Sequence, residues 1–183
     1  MGKSTISKQF KLLGFPLFDA DAAVHEMYGR GGRAVDPIAE AFPGSVVDGT
    51  VDRQILGSMV LSSPDALDRL ESIIHPLVAE ERESFYGKAA EQHVLAVVYD
   101  IPLLYEKNLQ GDVDVVVVVT ASAATQRERV LNRPGASVER FESILSTQLP
   151  DEVKRERADY VIDTDFGGYA EGRAQLSRVI ENL

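Results

Sequence analysis

The stretch that decides the fold is Val113-Asp114-Val115-Val116-Val117-Val118-Val119, the longest apolar run of the chain, broken only by Asp114. The run is short and β-branched, which is typical of a strand buried on both faces of a parallel sheet. Three further strand candidates each end directly before an aspartate: Pro16 to Phe18 before Asp19, Val94 to Tyr99 before Asp100, and Tyr160 to Ile162 before Asp163.

Segments with a helical pattern lie between these strands. They are Ser4 to Leu13, Asp21 to Tyr28, Ala34 to Phe42, Arg53 to Leu61, Pro64 to Ile74, Leu77 to Gln92, Ala123 to Arg133, Val138 to Thr147 and Gly168 to Asn182. Strands that alternate with helices predict βαβ units and an α/β fold with helices on both faces of the sheet. Ligands of such sheets bind beyond the carboxyl ends of the strands, so we expect Asp19, Asp100 and Asp163 on the functional edge.

The length of 183 residues fits one domain. Within it, Asp36 to Gln92 has a helical pattern throughout and contains no good strand. We therefore interpret this segment as an insertion or cap between the strands that end at Asp19 and Asp100, where it could cover a substrate.

The composition is that of a folded globular protein, with 44% hydrophobic and 26% charged residues. The 19 basic and 29 acidic residues give a net charge of −10, which argues against nucleic acid or an anionic membrane as a partner. An anionic ligand must therefore meet a local cluster of positive charge. Cysteine is absent, which excludes disulfides and fits a reducing cytoplasm. We expect neither a signal peptide nor a membrane span.

Gly2-Lys3-Ser4-Thr5 at the start of a helical pattern has the form of the closing half of a Walker A loop. That chemistry needs a glycine where backbone approaches phosphate, a lysine for the β- and γ-phosphates and a hydroxyl for Mg²⁺. The tetrapeptide is too short to be specific, and Ser4 or Thr5 could instead be an ordinary N-cap. The full loop also needs a glycine five residues before Gly2 and a preceding strand.

Acids at two strand ends are candidates for metal binding and proton transfer. Asp100 follows a Walker B-like strand and could hold Mg²⁺, although a capping or turn role has equal weight. Asp19-Ala20-Asp21 places two carboxylates at the same edge, where one could accept the proton of an attacking hydroxyl. The alternative for this pair is helix capping.

Three arginines on one predicted helix are the best candidates for a polyphosphate clamp. Arg129 and Arg133 share a face by their spacing, with Arg127 to one side. The acidic neighbours Glu128, Glu139 and Glu142 could instead make this an ordinary solvated face.

Two further features are a second basic group and a His-Pro pair within a helical pattern. A second basic group, Lys154, Arg155 and Arg157, is mixed with acids and is interpreted as surface. His75-Pro76 interrupts a helical pattern, which predicts a bend at this point.

Taken together, these residues resemble the dephospho-coenzyme A kinase family, which comprises P-loop kinases of the nucleoside-monophosphate-kinase type. The match runs over nearly the whole chain. It consists of Gly2-Lys3-Ser4-Thr5, Asp19-Ala20-Asp21, Val51-Asp52-Arg53 with Leu56-Gly57, Leu70-Glu71-Ser72-Ile73-Ile74-His75-Pro76, Asp100-Ile101-Pro102-Leu103-Leu104-Tyr105-Glu106, Gln126, Arg129, Arg133, and Ala158-Asp159-Tyr160-Val161-Ile162.

The resemblance implies a three-layer P-loop NTPase fold with strand order 2-3-1-4-5, a helical acceptor-binding insertion over residues 34–92 and an arginine-bearing lid over residues 123–157. It implies transfer of the ATP γ-phosphoryl group to the 3′-hydroxyl of dephospho-CoA, with Mg²⁺ bound. It also fits a cytoplasmic protein that is a monomer or a weak homo-oligomer.

Family roles carry over by position. The resemblance implies catalytic roles for Asp21, Lys3 and Arg129; ATP binding by Gly2, Lys3, Ser4, Thr5, Arg129 and Arg133; acceptor binding by Asp21, Arg53, His75 and Pro102; and metal binding by Ser4 and Asp100. Residues near Asp163 to Asp165 fall where the family places the adenine of ATP.

One departure from the family pattern concerns the N-terminus. The first strand and the first half of the phosphate loop would lie ahead of Met1, so we expect a natural chain with roughly ten more residues. If Met1 is the true start, we expect weak or absent ATP binding, because the missing loop half supplies phosphate-binding N–H groups.

Two other functions stay open at this point. One is a kinase of the same fold that acts on another small acceptor, such as a nucleoside or a pantetheine-containing metabolite. The other is a non-catalytic remnant that binds a nucleotide or a partner through the inserted helices.

Overall fold

A computed structural model of the chain describes residues 2–61, 63–165 and 168–183. Its elements in chain order are α1 (Lys3–Leu12), β1 (Leu17–Asp19), α2 (Ala20–Tyr28), α3 (Val35–Ala41), β2 (Val46–Val47), β3 (Thr50–Val51), α4 (Arg53–Val60), α5 (Pro64–Glu91), β4 (Val98–Asp100), a 3₁₀ turn (Leu109–Asp112), β5 (Val117–Thr120), α6 (Ala123–Leu131), α7 (Val138–Ser146), α8 (Asp151–Arg157), β6 (Tyr160–Asp163) and α9 (Gly168–Ile180).

These elements form two compact units. Phe15–Ile101 is called the central unit, and Met1–Gly14 together with Pro102–Leu183 is called the terminal unit. None of the helices in the described part of the chain combines the length and the apolar character that crossing a membrane requires.

A two-stranded parallel sheet lies in the central unit. β1 pairs with β4 so that Phe18 lies opposite Tyr99 and Asp19 opposite Asp100. The Phe18 and Tyr99 rings meet edge to face at 5.9 Å between centroids, and Phe85 of α5 lies 5.5 Å from Phe18. Parallel strands end at the same edge of a sheet. The prediction that Asp19 and Asp100 follow strands at one edge is therefore confirmed for their backbones.

A hairpin in the inserted segment overturns one prediction. Val46–Val47 and Thr50–Val51 pair antiparallel inside the stretch that we expected to be entirely helical. The two residues between them, Asp48 and Gly49, have φ values of 50° and 74°. Positive φ at both central positions is the conformation that an Asp-Gly hairpin turn favours. The segment therefore combines helices with a short hairpin.

The helix α5 overturns a second prediction, because it continues through Pro76 where two helices were expected. Proline removes one backbone donor from a helix, and its ring crowds the preceding turn. On both sides of Pro76, however, α5 packs against the core through partly or fully buried side chains. These are Leu70, Ile73, Ile74, Leu77, Val78 and Phe85. Tertiary packing therefore outweighs the local preference for a break.

A second parallel pair, β5 with β6, lies in the terminal unit. Val117 is opposite Tyr160 and Thr120 is opposite Asp163. The strand is shorter than the predicted run from Val113, and Val117–Val119 are half-buried rather than buried on both faces. In the described part of the chain β5 has a strand partner on one side only, which explains this exposure.

Helices cover this pair. α9 contacts β6 and α1, with Ile6 and Phe10 of α1 and Leu176 and Val179 of α9 buried. The helix α8 was not predicted, because its sequence, Asp-Glu-Val-Lys-Arg-Glu-Arg, has only one apolar residue and therefore no apolar periodicity.

In the strand order 2-3-1-4-5 implied by the resemblance, β1 and β4 correspond to strands 2 and 3. In the same order, β5 and β6 correspond to strands 4 and 5. The division into a single kinase domain with an insertion and a lid stays a prediction.

Candidate active site

The N-terminus of α1 forms the base of the site in the terminal unit. Gly2 is the N-cap in a left-handed conformation with φ 90° and makes no side-chain capping bond. The backbone N–H groups of Thr5 and Ile6 both donate to the Gly2 carbonyl oxygen. Lys3, Ser4 and Thr5 are exposed on the first turn, so the alternative of Ser4 or Thr5 as the N-cap is wrong. The positive end of the helix dipole therefore lies beside an exposed lysine and two hydroxyls, which suits a phosphate group.

Thr164, in the loop after β6, lies directly against this helix start. A Cβ atom added to Gly2 would lie 3.0 Å from Thr164 Cγ2 and 3.2 Å from Thr164 Oγ1. Both this contact and the positive φ require glycine at position 2. The start of α1 is thereby packed against the carboxyl end of β6.

Arg129 of α6 reaches the same loop. Its Nη1 donates to Thr164 Oγ1 at 2.9 Å and its Nη2 donates to the Thr164 carbonyl oxygen at 2.8 Å. Thr164 is anchored in turn, because its N–H and its hydroxyl both donate to the Thr120 carbonyl oxygen, at 3.0 and 2.9 Å. The structure thus brings a predicted clamp arginine to the residue that packs on Gly2. Cationic guanidinium and helix dipole both favour an anion at this place.

The other two arginines of the predicted clamp lie elsewhere. The helix ends at Leu131, so Arg133 is in the following turn and exposed, and the predicted shared helical face with Arg129 is wrong. Arg127 Nη1 lies 3.6 Å from Glu142 Oε1, and its guanidinium lies over the ring of Phe141 at 5.8 Å. Arg127 therefore joins α6 to α7. Its pairing with the exposed Glu142 agrees with the alternative that this is an ordinary solvated face.

Asp165 follows Thr164 in the same loop. Its Oδ2 accepts a hydrogen bond from the N–H of Ser122, the N-cap of α6, at 2.8 Å. The pKa of Asp165 is lowered, first by a hydrogen bond from the Thr125 side chain, and also by bonds from Ser122 and by the positive charge of Arg129. Asp165 is therefore a carboxylate that fixes the start of α6 and hence the approach of Arg129.

The side chains of Thr120 and Glu106 tie α8, and the turn before it, to the rest of the terminal unit. The hydroxyl of Thr120, at the end of β5, donates to Asp151 Oδ2 at 2.6 Å. Glu106 Oε1 accepts from the Leu149 N–H at 2.9 Å and lies 2.7 Å from Lys154 Nζ. The Glu106 and Lys154 side chains are only 12% and 16% exposed, so the interpretation of Lys154 as a surface residue is wrong. The segment 123–146 is thus held at both of its roots.

In the central unit the two acids of Asp19-Ala20-Asp21 have different positions. Asp19 is the N-cap of α2, and its Oδ1 accepts from the Ala22 N–H at 3.0 Å. Asp21 is exposed on the first turn of α2. Capping is therefore confirmed for Asp19. Both carboxylates are exposed, and Asp21 is not the N-cap. Asp100 is buried at the end of β4.

The predicted acceptor-binding residues are dispersed. Arg53 begins α4 directly after its N-cap Asp52, is exposed, and lines a groove of about 350 Å³ along the β2–β3 hairpin. His75 is exposed on α5, with Nε2 3.8 Å from Glu71 Oε2. Pro102, in the terminal unit, is half-buried in the loop after Asp100. Their roles in binding an acceptor stay predictions.

The family model for dephospho-CoA kinase matches residues 1–169. The chain belongs to the dephospho-CoA kinase family. A dephospho-CoA kinase of Mesorhizobium japonicum is 48% identical over 183 residues, covering 100% of this chain and 91% of that protein. A dephospho-CoA kinase of Agrobacterium fabrum is 45% identical, covering 100% of this chain and 93% of that protein.

Solved structures confirm the predicted fold class. The structure titled TT1252 from Thermus thermophilus has a TM-score of 0.83 and 31% identity, covering 100% of this chain and 92% of its own. A dephospho-CoA kinase structure from Campylobacter jejuni has a TM-score of 0.72 at 24% identity, covering 99% and 90%, and shows the shared fold alone. As a member of this family the chain is an α/β P-loop kinase that uses ATP in the last step of coenzyme A biosynthesis.

Within this member of the dephospho-CoA kinase family, sequence reasoning missed three supporting residues. Thr164, Thr120 and Asp151 were not singled out, although they hold Arg129 and the root of α8. Each is a common polar residue at the end of a strand or the start of a helix. No pattern in the chain distinguishes such a residue from an ordinary turn or cap.

Proposed function

We propose that this chain transfers the γ-phosphoryl group of ATP to the 3′-hydroxyl of dephospho-CoA, giving coenzyme A and ADP. The observation that carries the residue assignment is the pair of hydrogen bonds from Arg129 to Thr164, which itself packs on Gly2. These contacts support a site for polyphosphate between the start of α1 and the start of the lid.

The terminal unit binds ATP in this proposal. The first turn of α1, from Gly2 to Thr5, binds the phosphates through its N–H groups and through Lys3, whose charge offsets that of the transferred group. Arg129 stabilises the charge that spreads over the phosphoryl oxygens in the transition state. Arg133, exposed in the turn after α6, contributes a third positive charge to the binding of the triphosphate.

Oxygen donors in the chain fit the hard cation Mg²⁺, which binds through few protein ligands and substrate phosphates. Ser4 contributes an exposed hydroxyl on α1 and Asp100 a carboxylate at the end of β4. When bound, Mg²⁺ neutralises phosphate charge. The described residues contain no preformed cluster of three or more His, Cys, Asp or Glu side chains for a metal.

The acceptor is activated by Asp21. Its carboxylate, exposed on the first turn of α2, orients the 3′-hydroxyl and accepts its proton as the oxygen attacks phosphorus. Arg53, His75 and Pro102 bind the acceptor. Positioning of the hydroxyl in line with the phosphorus supplies several kcal/mol of the barrier reduction.

Residues 123–157 act as a lid that excludes water from the γ-phosphate. Without such closure, water would compete with the acceptor and the kinase would hydrolyse ATP. The contacts of Thr120 with Asp151 and of Glu106 with Leu149 and Lys154 support this assignment, because they anchor the C-terminal part of the lid. Within the lid, Arg127 of α6 lies beside Glu142 and Phe141 of α7, and Arg129 of α6 donates to Thr164.

A matched pair of substitutions tests the role of Asp21. Asp21→Asn is expected to lower kcat by about a hundredfold or more while leaving the Kd for dephospho-CoA within a few fold. Asp19→Asn removes a charge from the same edge but keeps a good N-cap, so it is expected to have a much smaller effect on kcat. Steady-state kinetics and calorimetric binding measure both. Equal losses in the two variants would remove the assignment of the base to Asp21.

The proposal identifies dephospho-CoA as the acceptor. A panel of dephospho-CoA, nucleosides and other pantetheine-containing metabolites with Mg-ATP tests the acceptor. A higher kcat/KM for any compound other than dephospho-CoA would contradict the assignment.

We place the protein in the cytoplasm as a monomer or weak homo-oligomer. The absence of cysteine supports a reducing compartment, and light scattering during size-exclusion chromatography tests the oligomeric state.

A further inference from the structure

Thr164 makes two hydrogen bonds to one arginine. Arg129 Nη1 donates to its hydroxyl at 2.9 Å and Nη2 donates to its carbonyl oxygen at 2.8 Å. Two parallel bonds from a planar guanidinium fix both the place and the orientation of that group. A single bond would leave the guanidinium able to swing about its contact.

The hydroxyl proton of Thr164 is already committed. It is donated to the Thr120 carbonyl oxygen at 2.9 Å. A hydroxyl has one proton and two lone pairs, so a lone pair remains to accept from Arg129. Thr164 is 9% exposed, so water competes little for these positions. The end of β5 therefore orients the Thr164 hydroxyl toward the arginine.

The methyl group of Thr164 lies against the start of α1, with the hydroxyl oxygen close beside it. Its Cγ2 is the atom that a Cβ added to Gly2 would meet at 3.0 Å. One side chain thus contacts the glycine that begins the phosphate-binding helix with its methyl group and holds the lid arginine with its oxygen. Both contacts are made between residues of the chain itself.

We propose that Thr164 is a positioning residue, which holds Arg129 beside the start of α1 before ATP binds. Arginine carries one of the largest side-chain entropies, and a side chain that is ordered in advance loses less of it when the ligand arrives. Arg129 then meets the phosphoryl group in the required orientation. The inference rests on the proposed function in one respect, namely that Arg129 acts on ATP.

Two substitutions separate the two ends of the Thr164 side chain. Thr164→Val keeps the shape and the methyl contact with Gly2 but removes the hydroxyl. Thr164→Ser keeps the hydroxyl and removes the methyl group. If positioning of Arg129 is the function, Thr164→Val is expected to lower kcat by about tenfold, the loss of one charge-assisted hydrogen bond. Thr164→Ser is expected to stay within about twofold of the parent.

A double-mutant cycle shows whether Thr164 acts through Arg129. In the Arg129→Ala background, Thr164→Val is expected to change kcat by less than about twofold, because no guanidinium remains to be positioned. A merely structural role would produce the same fold loss in both backgrounds. Calorimetry can measure the same cycle on the Kd for Mg-ATP. It then compares the effect of Thr164→Val in the two backgrounds without any phosphoryl transfer.

A third measurement needs neither nucleotide nor activity. Rotation of the Arg129 guanidinium is slowed by its two bonds to Thr164, so its Nη–H signals are expected in ¹⁵N-resolved NMR spectra of the parent protein at low temperature. Their absence in Arg129→Ala assigns them. They are expected to persist in Thr164→Ser and to be lost in Thr164→Val.

The outcomes separate this inference from the proposed function. Inactivity toward dephospho-CoA, with the NMR and ATP-binding results as expected, would contradict the proposed reaction and leave Thr164 as the residue that positions Arg129. A freely rotating Arg129 in the parent protein would overturn the inference even if the kinase is active. Equal losses in Thr164→Ser and Thr164→Val, or additive effects in the cycle, would overturn it as well.

Discussion

Glu106 and Lys154 form an ion pair at the root of the proposed lid, with 2.7 Å between Oε1 and Nζ and side chains only 12% and 16% exposed. Burial raises the pKa of Glu106, but hydrogen bonds from Lys154 and from the Leu149 N–H outweigh it, so its pKa lies below the usual 4.5. The folded state therefore prefers the charged carboxylate more strongly than the unfolded chain does.

This preference predicts how stability depends on pH. Because the folded pKa is depressed, the stabilisation by Glu106 is complete above about pH 4.5 and is lost as the pH falls below that value. Glu106→Gln leaves Lys154 as a nearly buried cation without its partner. We expect it to lower the free energy of unfolding at pH 7 by about 2 to 3 kcal/mol, with a difference from the parent that shrinks below pH 4.5.

Chemical denaturation at a series of pH values measures this difference. Glu142→Gln is the matched control, because Glu142 pairs with Arg127 at 3.6 Å with side chains 64% and 46% exposed. Exposed pairs contribute little, so this control is expected to change stability by less than about 1 kcal/mol at any pH. A difference between parent and Glu106→Gln that stays constant from pH 7 to pH 3 would contradict the account.

At the residue scale, sequence reasoning identified the groups that carry charge but not those that hold them. Lys3, Asp21 and Arg129 could be predicted because their residue types suit phosphoryl transfer and stand in an ordered set of motifs. Thr164 could not, because its importance comes from a contact with Gly2, which is distant along the chain. For Asp19 the sequence left proton transfer and helix capping open, and the bond from the Ala22 N–H shows that it caps α2.

The helix α5 shows at the scale of an element how packing outweighs local preference. Its 28 residues, Pro64–Glu91, include Pro76. The missing N–H of Pro76 leaves the Ser72 carbonyl oxygen without its usual helical donor, and the ring crowds that turn. Burial of Ile74 and partial burial of Leu77 hold the helix together across this point.

Replacement of Pro76 is therefore predicted to stabilise the protein. Pro76→Ala restores one backbone hydrogen bond and removes a steric conflict, and we expect a gain of about 1 to 2 kcal/mol in the free energy of unfolding. Thermal and urea unfolding measure the gain. If the His75-Pro76 element binds the acceptor, KM for dephospho-CoA rises in the same variant while KM for ATP does not.

Pro64 provides the control in the same helix. It occupies the first turn of α5, where the absence of an N–H costs nothing and the fixed φ is favourable. Pro64→Ala is expected to leave stability unchanged or slightly reduced. Destabilisation by Pro76→Ala as large as the expected gain would show that the structure around Pro76 depends on the proline ring.

The elements differ in how far the sequence could predict them. The hairpin β2–β3 was missed although Asp48-Gly49 between two short valine-containing runs is a recognisable turn signal. The continuity of α5 and the existence of α8 could not be inferred, because both depend on tertiary contacts. In α8 the decisive ones are those of Asp151 with Thr120 and of Lys154 with Glu106.

For the whole molecule, the order of the motifs was more informative than any single one. Short pieces such as Gly2-Lys3-Ser4-Thr5 are individually weak, but their sequence from α1 to β6 predicted both the fold class and the family, and the family model and relatives confirm them. The parallel pairing of β1 with β4 and of β5 with β6 agrees with that order.

The net charge of −10 makes the local positive charges beside the start of α1 important for binding. An acidic protein repels polyphosphate over most of its surface, so binding depends on the few cations beside the start of α1. Lys3 and Arg129 of the terminal unit supply them in our account, and Thr164 fixes the second.

The most direct test of the central claim is the initial rate of ADP formation from Mg-ATP with and without dephospho-CoA, with the phosphorylated product identified by mass spectrometry and its position by NMR. We predict ADP formation that depends on dephospho-CoA, is matched mole for mole by coenzyme A phosphorylated at the 3′-hydroxyl, and falls by about a hundredfold or more in Asp21→Asn. ADP formation that is independent of dephospho-CoA, or no product from dephospho-CoA at all, would contradict the account.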